Sequence, residues 1–219
     1  MDENLIFEVK GAKFYLPQHD VDCIQSLLAH CHIYWDTKAH SIINRYLKDN
    51  AVILDIGANI GSHSIYWARE RNAKKVYAFE PLKFVYDILE KNVELNSLQN
   101  IITTYNFGLS DIETNAKNSA VCMKNIGGTS FRKDANGDSF LKPLDYCKFQ
   151  ENIDLIKIDV EGAEVEVLNG AISTLVYNKP ILVIETFNKK AQVEEILSNI
   201  NYKLVDTIRE GEDYIFMPE

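Results

Sequence analysis

Short runs of apolar residues alternate along the chain with stretches in which apolar residues recur every three or four positions. The runs predict strands buried in a parallel sheet, and the stretches predict amphipathic helices packed against it. The strands are predicted at residues 52–56, 76–79, 101–106, 153–159, 181–185, 202–206 and 214–217. The last two are expected to pair as a hairpin around Glu210-Gly211-Glu212. Seven strands interleaved with helices predict one α/β domain.

The first fifty residues carry a different pattern. Alternating segments between Leu5 and Leu16 predict a hairpin, and two apolar stripes after it predict helices, the first of them capped by Asp20. We therefore expect residues 1–50 to form a hairpin-and-helices extension of a domain that spans residues 51–219. The two parts are expected to form one compact unit.

Two stretches of the later chain connect the predicted strands. The passage from Leu109 to Gln150 is polar and rich in turn formers, which predicts a long loop with a substrate-binding role or extra surface. Inward-facing Val165, Val167 and Leu168 belong to one helix predicted to run from Val160 to Leu175.

The turn after the first strand indicates the class of ligand. It reads Gly57-Ala58-Asn59-Ile60-Gly61 rather than G-x-G-x-x-G. Asn59 occupies the position where a dinucleotide site needs glycine for the pyrophosphate, so the turn disfavours NAD and favours a neutral or zwitterionic ligand. Glu80 follows Gly61 by nineteen residues, where an acidic side chain would accept hydrogen bonds from both hydroxyls of an adenosine ribose.

Four segments, DIGANIG (55–61), FEP (79–81), IDLIKIDVEGAEVEVLNGA (153–171) and KPILVIE (179–185), follow one another in a characteristic order. They resemble the motifs of class I S-adenosylmethionine-dependent methyltransferases, in the form found in the FkbM family. The resemblance covers about residues 51–185. It implies a Rossmann-like, doubly wound, seven-stranded and mostly parallel sheet whose last strand is antiparallel.

The same resemblance implies S-adenosylmethionine as cofactor. It implies O-methylation of a hydroxyl on a sugar, a nucleotide-linked sugar or a capsule or natural-product intermediate. Two alternatives remain, a noncatalytic module that binds an adenosine ligand and an NAD-dependent oxidoreductase. The noncatalytic module is disfavoured by the presence of Lys157, Asp159 and Glu185. The oxidoreductase is disfavoured by Asn59.

Lys157 is unusual because it lies inside an otherwise apolar strand, where an ammonium group must be paired. Strand alternation places Lys157 and Asp159 on the same face, and the methyltransferase strand order implies Asp55 and Glu185 as further partners. Asp159 is the first candidate for the base that takes the proton of the acceptor hydroxyl. His63, inside the cofactor motif, is the alternative base.

The remaining candidates are the cofactor and acceptor residues. Cofactor binding is predicted for Asp55, Gly57, Ala58, Asn59, Gly61, Glu80 and Asn106. The extension is expected to cap the acceptor side, with Tyr34, Trp35, Asp36 and Glu161 as substrate residues. A packed Trp35 and a turn-forming Asn106 are the competing interpretations. If Mg²⁺ or Mn²⁺ takes part, Asp159, Glu161 and Glu185 are the candidate ligands.

Composition and charge limit the partners. The chain has 219 residues, 46% of them hydrophobic, and a net charge of −9, which disfavours nucleic acid and anionic membranes and favours a small-molecule or glycan acceptor. Its four cysteines form no C-x-x-C pair, so we expect reduced thiols. Since no signal peptide or membrane span is recognisable, a cytoplasmic protein is expected, and a homo-oligomer is left open.

Overall fold

The computed structural model describes residues 3–209 and 212–219, so the predicted turn at Glu210 and Gly211 lies outside the described residues. The strands are β1 (Ile6–Val9), β2 (Ala12–Tyr15), β3 (Val52–Ile56), β4 (Lys75–Phe79), β5 (Ile102–Tyr105), β6 (Gly108–Leu109), β7 (Thr114–Asn118), β8 (Phe131–Lys133), β9 (Ser139–Lys142), β10 (Leu155–Ile158), β11 (Ile181–Glu185), β12 (Tyr202–Thr207) and β13 (Asp213–Pro218). The helices are α1 (Cys23–Cys31), α2 (Thr37–Ile43), α3 (Ser62–Glu70), α4 (Lys83–Leu95), α5 (Glu164–Asn169), α6 (Ile172–Asn178) and α7 (Lys190–Ser198). In the part of the chain that the structure describes, every helix is too short or too polar to cross a bilayer.

The central sheet has seven strands in the order β12-β13-β11-β10-β3-β4-β5. The five strands from β11 to β5 are parallel, and β13 runs antiparallel to both of its neighbours. This confirms the predicted seven-stranded, mostly parallel sheet with an antiparallel last strand. The carboxyl ends of β3, β4, β10 and β11 therefore meet at one edge, where open α/β sheets bind ligands.

Two hydrophobic cores cover the two faces of this sheet. Successive residues of β3 alternate between them, because Ile53 belongs to one core and Leu54 to the other. The core around Ile53 contains buried residues of α1 to α4, and the core around Leu54 contains buried residues of α5 to α7. Burial on both faces is the physical reason why β3 is apolar nearly throughout.

The passage from Leu109 to Gln150 contains the short strands β7, β8 and β9 between irregular segments, so the prediction of one continuous long loop is wrong. Strands β6 to β9 form a second, four-stranded sheet in the order β6-β9-β7-β8. Its strands are two to five residues long, and β7 has a single buried residue, Ala116. Strands this short and polar lack the alternating apolar pattern that identifies a strand in sequence.

The predicted helix from Val160 to Leu175 is also corrected, because the chain forms two short helices, α5 and α6, separated at Gly170. A Cβ atom at Gly170 would lie 2.0 Å from the carbonyl oxygen of Ser110. Gly170 therefore lets the backbone pass directly against the end of β6. The apolar stripe continues across the break, which is why the sequence pattern does not show it.

The N-terminal extension is bound to the inserted four-stranded segment through the cap of α1. The cap is Asp22 rather than Asp20, since Oδ1 of Asp22 accepts a hydrogen bond from the backbone N–H of Gln25. Its second oxygen accepts the backbone N–H of Ile126 at 2.9 Å. One buried carboxylate thus connects residues 104 positions apart and brings the extension over the ligand edge of the sheet.

Candidate active site

A cavity of about 610 Å³, called here the main cavity, opens at the carboxyl edge of the central sheet. Its volume lies within the range of small-molecule sites. Ten of the predicted site residues line it: Trp35, Gly57, Ala58, Asn59, His63, Glu80, Lys157, Asp159, Glu161 and Glu185. Five others do not, namely Tyr34, Asp36, Asp55, Gly61 and Asn106. The main cavity is therefore the candidate active site.

The turn after β3 is held close to β10 by Gly57. This residue has a φ of +79°, and a Cβ atom there would lie 1.8 Å from the carbonyl oxygen of Asp159. The backbone N–H groups of Gly57 and Ala58 both donate to the carbonyl of Phe79. Glycine at this position is required by the approach of two strands, and it sets the position of Asp159 at the cavity.

Glu80 lies directly after β4 with its carboxylate fixed by the turn. Its oxygens accept backbone hydrogen bonds from Asn59 at 3.0 Å and Leu82 at 2.8 Å. Burial raises the pKa of Glu80 to about 7, although these hydrogen bonds act in the opposite direction. Asn106 donates to the carbonyl oxygens of Glu80 and Pro81, so the structure shows its turn-holding role and places it outside the main cavity.

Lys157 occupies the centre of the sheet, as the sequence predicts. It lies opposite Asp55 in the register of β10 and β3, and its Nζ lies 2.9 Å from Asp159 and 3.8 Å from Asp55. Burial alone would lower the pKa of Lys157, but these two carboxylates raise it, so the ammonium stays charged. Asp55 is fully buried and accepts the hydroxyl of Ser64 at 2.6 Å. The predicted pairing of Lys157 with Asp55 is confirmed.

Glu185 ends β11 beside Asp159. Burial and the charges of Asp159 and Asp213 raise the pKa of Glu185, and a hydrogen bond joins Glu185 to Asp159. Burial and the neighbouring charges therefore favour the protonated form of Glu185, while Asp159 forms an ion pair with Lys157.

Arg209 is a cavity residue that the sequence pattern does not reveal. Its guanidinium lies 3.3 Å from Glu185 and 3.5 Å from Asp36, and it contacts Asp213. Asp36 is the N-cap of α2, accepting the backbone N–H of Ala39. The carboxylate predicted to bind substrate therefore links α2 to Arg209 at a smaller cavity of about 20 Å³ beside the main one.

The other acceptor candidates divide between the main cavity and the core. Trp35 is half-buried and lines the main cavity, and its backbone N–H donates to Ser62. Glu161 also lines it, with a φ of 52°. Burial and the charge of Asp159 raise the pKa of Glu161. The substrate role predicted for Tyr34 is not supported, because Tyr34 is 3% exposed and its hydroxyl donates to Glu70.

His63 lies in the first turn of α3 and lines the main cavity. Its Nδ1 lies 2.8 Å from Nε2 of His40 on α2, and both rings are buried. Burial and the charge of Lys157 lower the pKa of both rings, that of His40 to about 3. Both histidines are therefore neutral at physiological pH.

A divalent cation finds no support in the arrangement of side chains. Within residues 3–209 and 212–219, no group of three or more His, Cys, Asp or Glu side chains is arranged to hold a metal ion. The candidate ligands Asp159 and Glu185 are instead joined to each other and to Lys157 and Arg209.

The sequence model of the methyltransferase FkbM domain matches residues 55–207. The chain belongs to this family. Its FkbM domain begins at the buried Asp55 and includes the turn, Lys157, Asp159 and Glu185. Methyltransferase sdnD of Sordaria araneosa is 29% identical over 196 residues, which cover 72% of this chain and 76% of that protein.

Hexuronic acid methyltransferase AglP of Haloferax volcanii is 27% identical over 133 residues, 58% of this chain and 53% of AglP. Methyltransferase FkbM from Methylobacillus flagellatus KT is a solved structure with a TM-score of 0.56 and 18% identity, over 91% of this chain and 49% of that one. M. jannaschii TYW2 in complex with AdoMet has a TM-score of 0.50 and 15% identity, over 98% of this chain and 86% of TYW2. At these identities the structures show a shared methyltransferase-like fold. The chain spans about half the length of AglP and of the M. flagellatus protein.

Proposed function

We propose that the protein is an S-adenosylmethionine-dependent O-methyltransferase for a hydroxyl on a sugar, a nucleotide-linked sugar or a natural-product intermediate. The observation that carries the proposal is the Asp159 carboxylate, which lines the same cavity as the Gly57 turn and Glu80. The FkbM family supports methyl transfer. The relative AglP, a hexuronic acid methyltransferase by name, supports a sugar acceptor.

The residues around the turn suit the cofactor. Glu80 presents a carboxylate that two backbone donors hold in place, as hydrogen bonding to a ribose requires. Asn59 carries a side chain where a diphosphate would need glycine. TYW2, which shares the fold, is bound to AdoMet. When bound, the cofactor supplies an electrophilic methyl group on a sulfonium.

Asp159 is the proposed base. Methyl transfer breaks a carbon–sulfur bond, forms a carbon–oxygen bond and releases the hydroxyl proton, which the Asp159 carboxylate accepts. Lys157 lies 2.9 Å from Asp159 and places a positive charge beside the proposed base, and the raised pKa of Glu185 favours its protonated form. This arrangement supplies a carboxylate in the cavity proposed to hold the acceptor hydroxyl.

The acceptor is proposed to enter beneath the extension. Trp35 offers a flat apolar face of the kind that stacks on sugar rings, and Glu161 offers a carboxylate that can accept hydroxyl hydrogen bonds. Residues 1–50 thus act as an acceptor-side cap. The net charge of −9 disfavours a nucleic-acid acceptor.

The test is transfer of a labelled methyl group from S-adenosylmethionine to a panel of nucleotide-linked sugars, uronic acids and neutral glycosides. Alkali-stable label on a hydroxyl oxygen, located by mass spectrometry, is the expected result. Calorimetry with S-adenosylhomocysteine and NAD is the matching binding test. Binding of NAD without binding of S-adenosylhomocysteine would contradict the proposal.

Glu80→Ala should weaken S-adenosylhomocysteine binding by about 1.5–3 kcal/mol, because two charge-assisted hydrogen bonds to the ribose are lost. Isothermal titration measures the change, with Glu113→Ala, an exposed glutamate outside the main cavity, as control. Thermal melting shows that the variant is folded. Unchanged affinity in a folded variant would remove Glu80 from the cofactor site.

The same affinity should depend on pH. The pKa of about 7 for Glu80 means that its ionised fraction, the form that accepts both ribose hydroxyls, rises between about pH 6 and pH 8. Affinity is expected to increase with pH over this interval in the wild type and to stay flat in Glu80→Gln. If affinity rises equally with pH in the wild type and in Glu80→Gln, the pH dependence belongs to another group.

Trp35→Ala should lower kcat/KM for the acceptor by about tenfold or more, or about 1.4 kcal/mol, with cofactor affinity unchanged. Steady-state kinetics with the acceptor identified by the panel measures the change. Tyr177→Ala, an exposed aromatic outside the main cavity, is the control. Unaltered acceptor kinetics in a folded Trp35→Ala protein would place the acceptor against the inserted sheet instead.

A further inference from the structure

Two buried histidines lie against each other behind the main cavity. His40 is 2% exposed and stacks on Tyr66, with ring centroids 3.6 Å apart and planes 4° from parallel. Its Nε2 lies 2.8 Å from Nδ1 of His63, whose ring lines the main cavity. Since Nδ1 of His63 is engaged with His40, Nε2 is the nitrogen left to face a ligand.

The two rings must share one proton in this hydrogen bond. Both are neutral, because they are buried and because Lys157 lies nearby, with Arg209 adding positive charge near His63. A neutral imidazole has one N–H and one lone pair. The tautomer of His40 therefore fixes the tautomer of His63, and with it the hydrogen-bonding character of Nε2 at the cavity.

Asn44 decides which of its two ring nitrogens His40 protonates. It is the C-cap of α2, one turn after His40, and its backbone N–H donates to the carbonyl oxygen of His40. Its Nδ2 donates to the hydroxyl of Tyr66 at 2.7 Å. Among the described residues, Oδ1 of Asn44 and Nδ1 of His40 are both buried without a hydrogen-bond partner.

Buried polar atoms in folded proteins are nearly always paired. An amide oxygen accepts only, so it can pair with Nδ1 of His40 only if that nitrogen carries the proton. Both side chains contact Tyr66, His40 through its ring and Asn44 through its amide. When Nδ1 of His40 carries the proton, its Nε2 carries the lone pair and accepts a hydrogen bond from Nδ1–H of His63.

We propose that Asn44 and His40 are positioning residues that hold His63 in its Nδ1–H tautomer, so that His63 Nε2 faces the main cavity as a hydrogen-bond acceptor for a ligand O–H or N–H group. A hydroxyl of the acceptor and the ammonium group of the methyl donor both offer this chemistry. The role in catalysis rests on the proposed function, whereas the tautomer does not. Fixing a histidine tautomer through its second nitrogen is how enzymes set the direction of such a group.

The tautomer is tested by nitrogen NMR on protein labelled at the histidine rings, without any ligand. Between about pH 6 and pH 8 the expected spectrum shows His63 protonated at Nδ1 and bare at Nε2. His40→Phe keeps an aromatic ring on Tyr66 but removes the acceptor, and should release this preference. A wild-type His63 protonated at Nε2 would overturn the proposal, whatever reaction the protein catalyses.

Kinetics tests the consequence. His40→Phe should lower kcat/KM by about tenfold, since a wrong tautomer removes an oriented hydrogen bond. His40→Gln should recover part of this loss, because its amide oxygen can accept the His63 N–H. His30→Phe, on the exposed face of α1, is the matched control. Folded His40→Phe with wild-type kinetics overturns the proposal.

A binding comparison distinguishes the two ligand groups. If His63 binds the donor's ammonium, His63→Phe should weaken S-adenosylhomocysteine several-fold and leave 5′-methylthioadenosine, which lacks the amino-acid portion, unchanged. If it binds the acceptor hydroxyl, both affinities stay constant and the acceptor KM rises. If a folded His63→Phe protein shows neither the change in binding nor the change in acceptor KM, the proposal is overturned.

Discussion

Asp159→Asn is expected to lower kcat by about 10²–10⁴-fold, the usual contribution of general base catalysis, while cofactor affinity stays within a few-fold. The amide is nearly isosteric but cannot accept the hydroxyl proton. The ion pair with Lys157 at 2.9 Å is lost, although Lys157 keeps Asp55 as a partner. The loss should therefore fall on turnover rather than on folding.

Asp154→Asn is the matched control for this variant. Asp154 precedes the same strand at the opposite edge of the sheet, where it accepts the backbone N–H of Val52 and pairs with Lys48. Its replacement should lower thermal stability modestly and leave kcat unchanged. Turnover near the wild-type value in Asp159→Asn would remove Asp159 as the base and leave His63 as the remaining candidate.

The part of the site that the sequence predicts lies on buried strands. Continuous apolar runs identify β3 and β10, and the order of motifs places them side by side, so an ammonium in one and a carboxylate in the other must meet. Lys157 and Asp55 are consequently paired as expected. A charged residue in an apolar run is informative because burial leaves it few alternatives.

The rest of the site depends on contacts without a local signal. Arg209 reaches Asp36 across 173 positions of the chain, and both residues belong to segments whose own pattern is ordinary for a turn and a helix cap. His40 looks like any polar position on α2, and only the packing of α2 against α3 brings it to His63. Side chains whose partners come from distant, irregular segments cannot be inferred from periodicity.

Lys157→Met should destabilise the protein by about 3–5 kcal/mol, the usual effect of removing one partner of a buried ion pair. In the part of the chain that the structure describes, the variant leaves the fully buried Asp55 without a cation and with Ser64 as its hydrogen-bond partner. Chemical unfolding measures the loss. The control is Lys189→Met, which removes a half-exposed ion pair with Glu166. It should lower the unfolding free energy by no more than about 1 kcal/mol.

The loss of unfolding free energy in Lys157→Met should also grow with pH. This pH dependence distinguishes an unpaired charge on Asp55 from a packing defect. Burial raises the pKa of Asp55 even in the wild type, and removing the opposing ammonium raises it further. A carboxyl whose pKa is higher in the folded state stabilises the fold below its unfolded value, and that stabilisation disappears as the pH rises through the folded value. The variant should thus be closest to the wild type near pH 5 and furthest from it near pH 8. An equal difference at both pH values would show that the methionine disturbs packing and that Asp55 is not left as an unpaired anion.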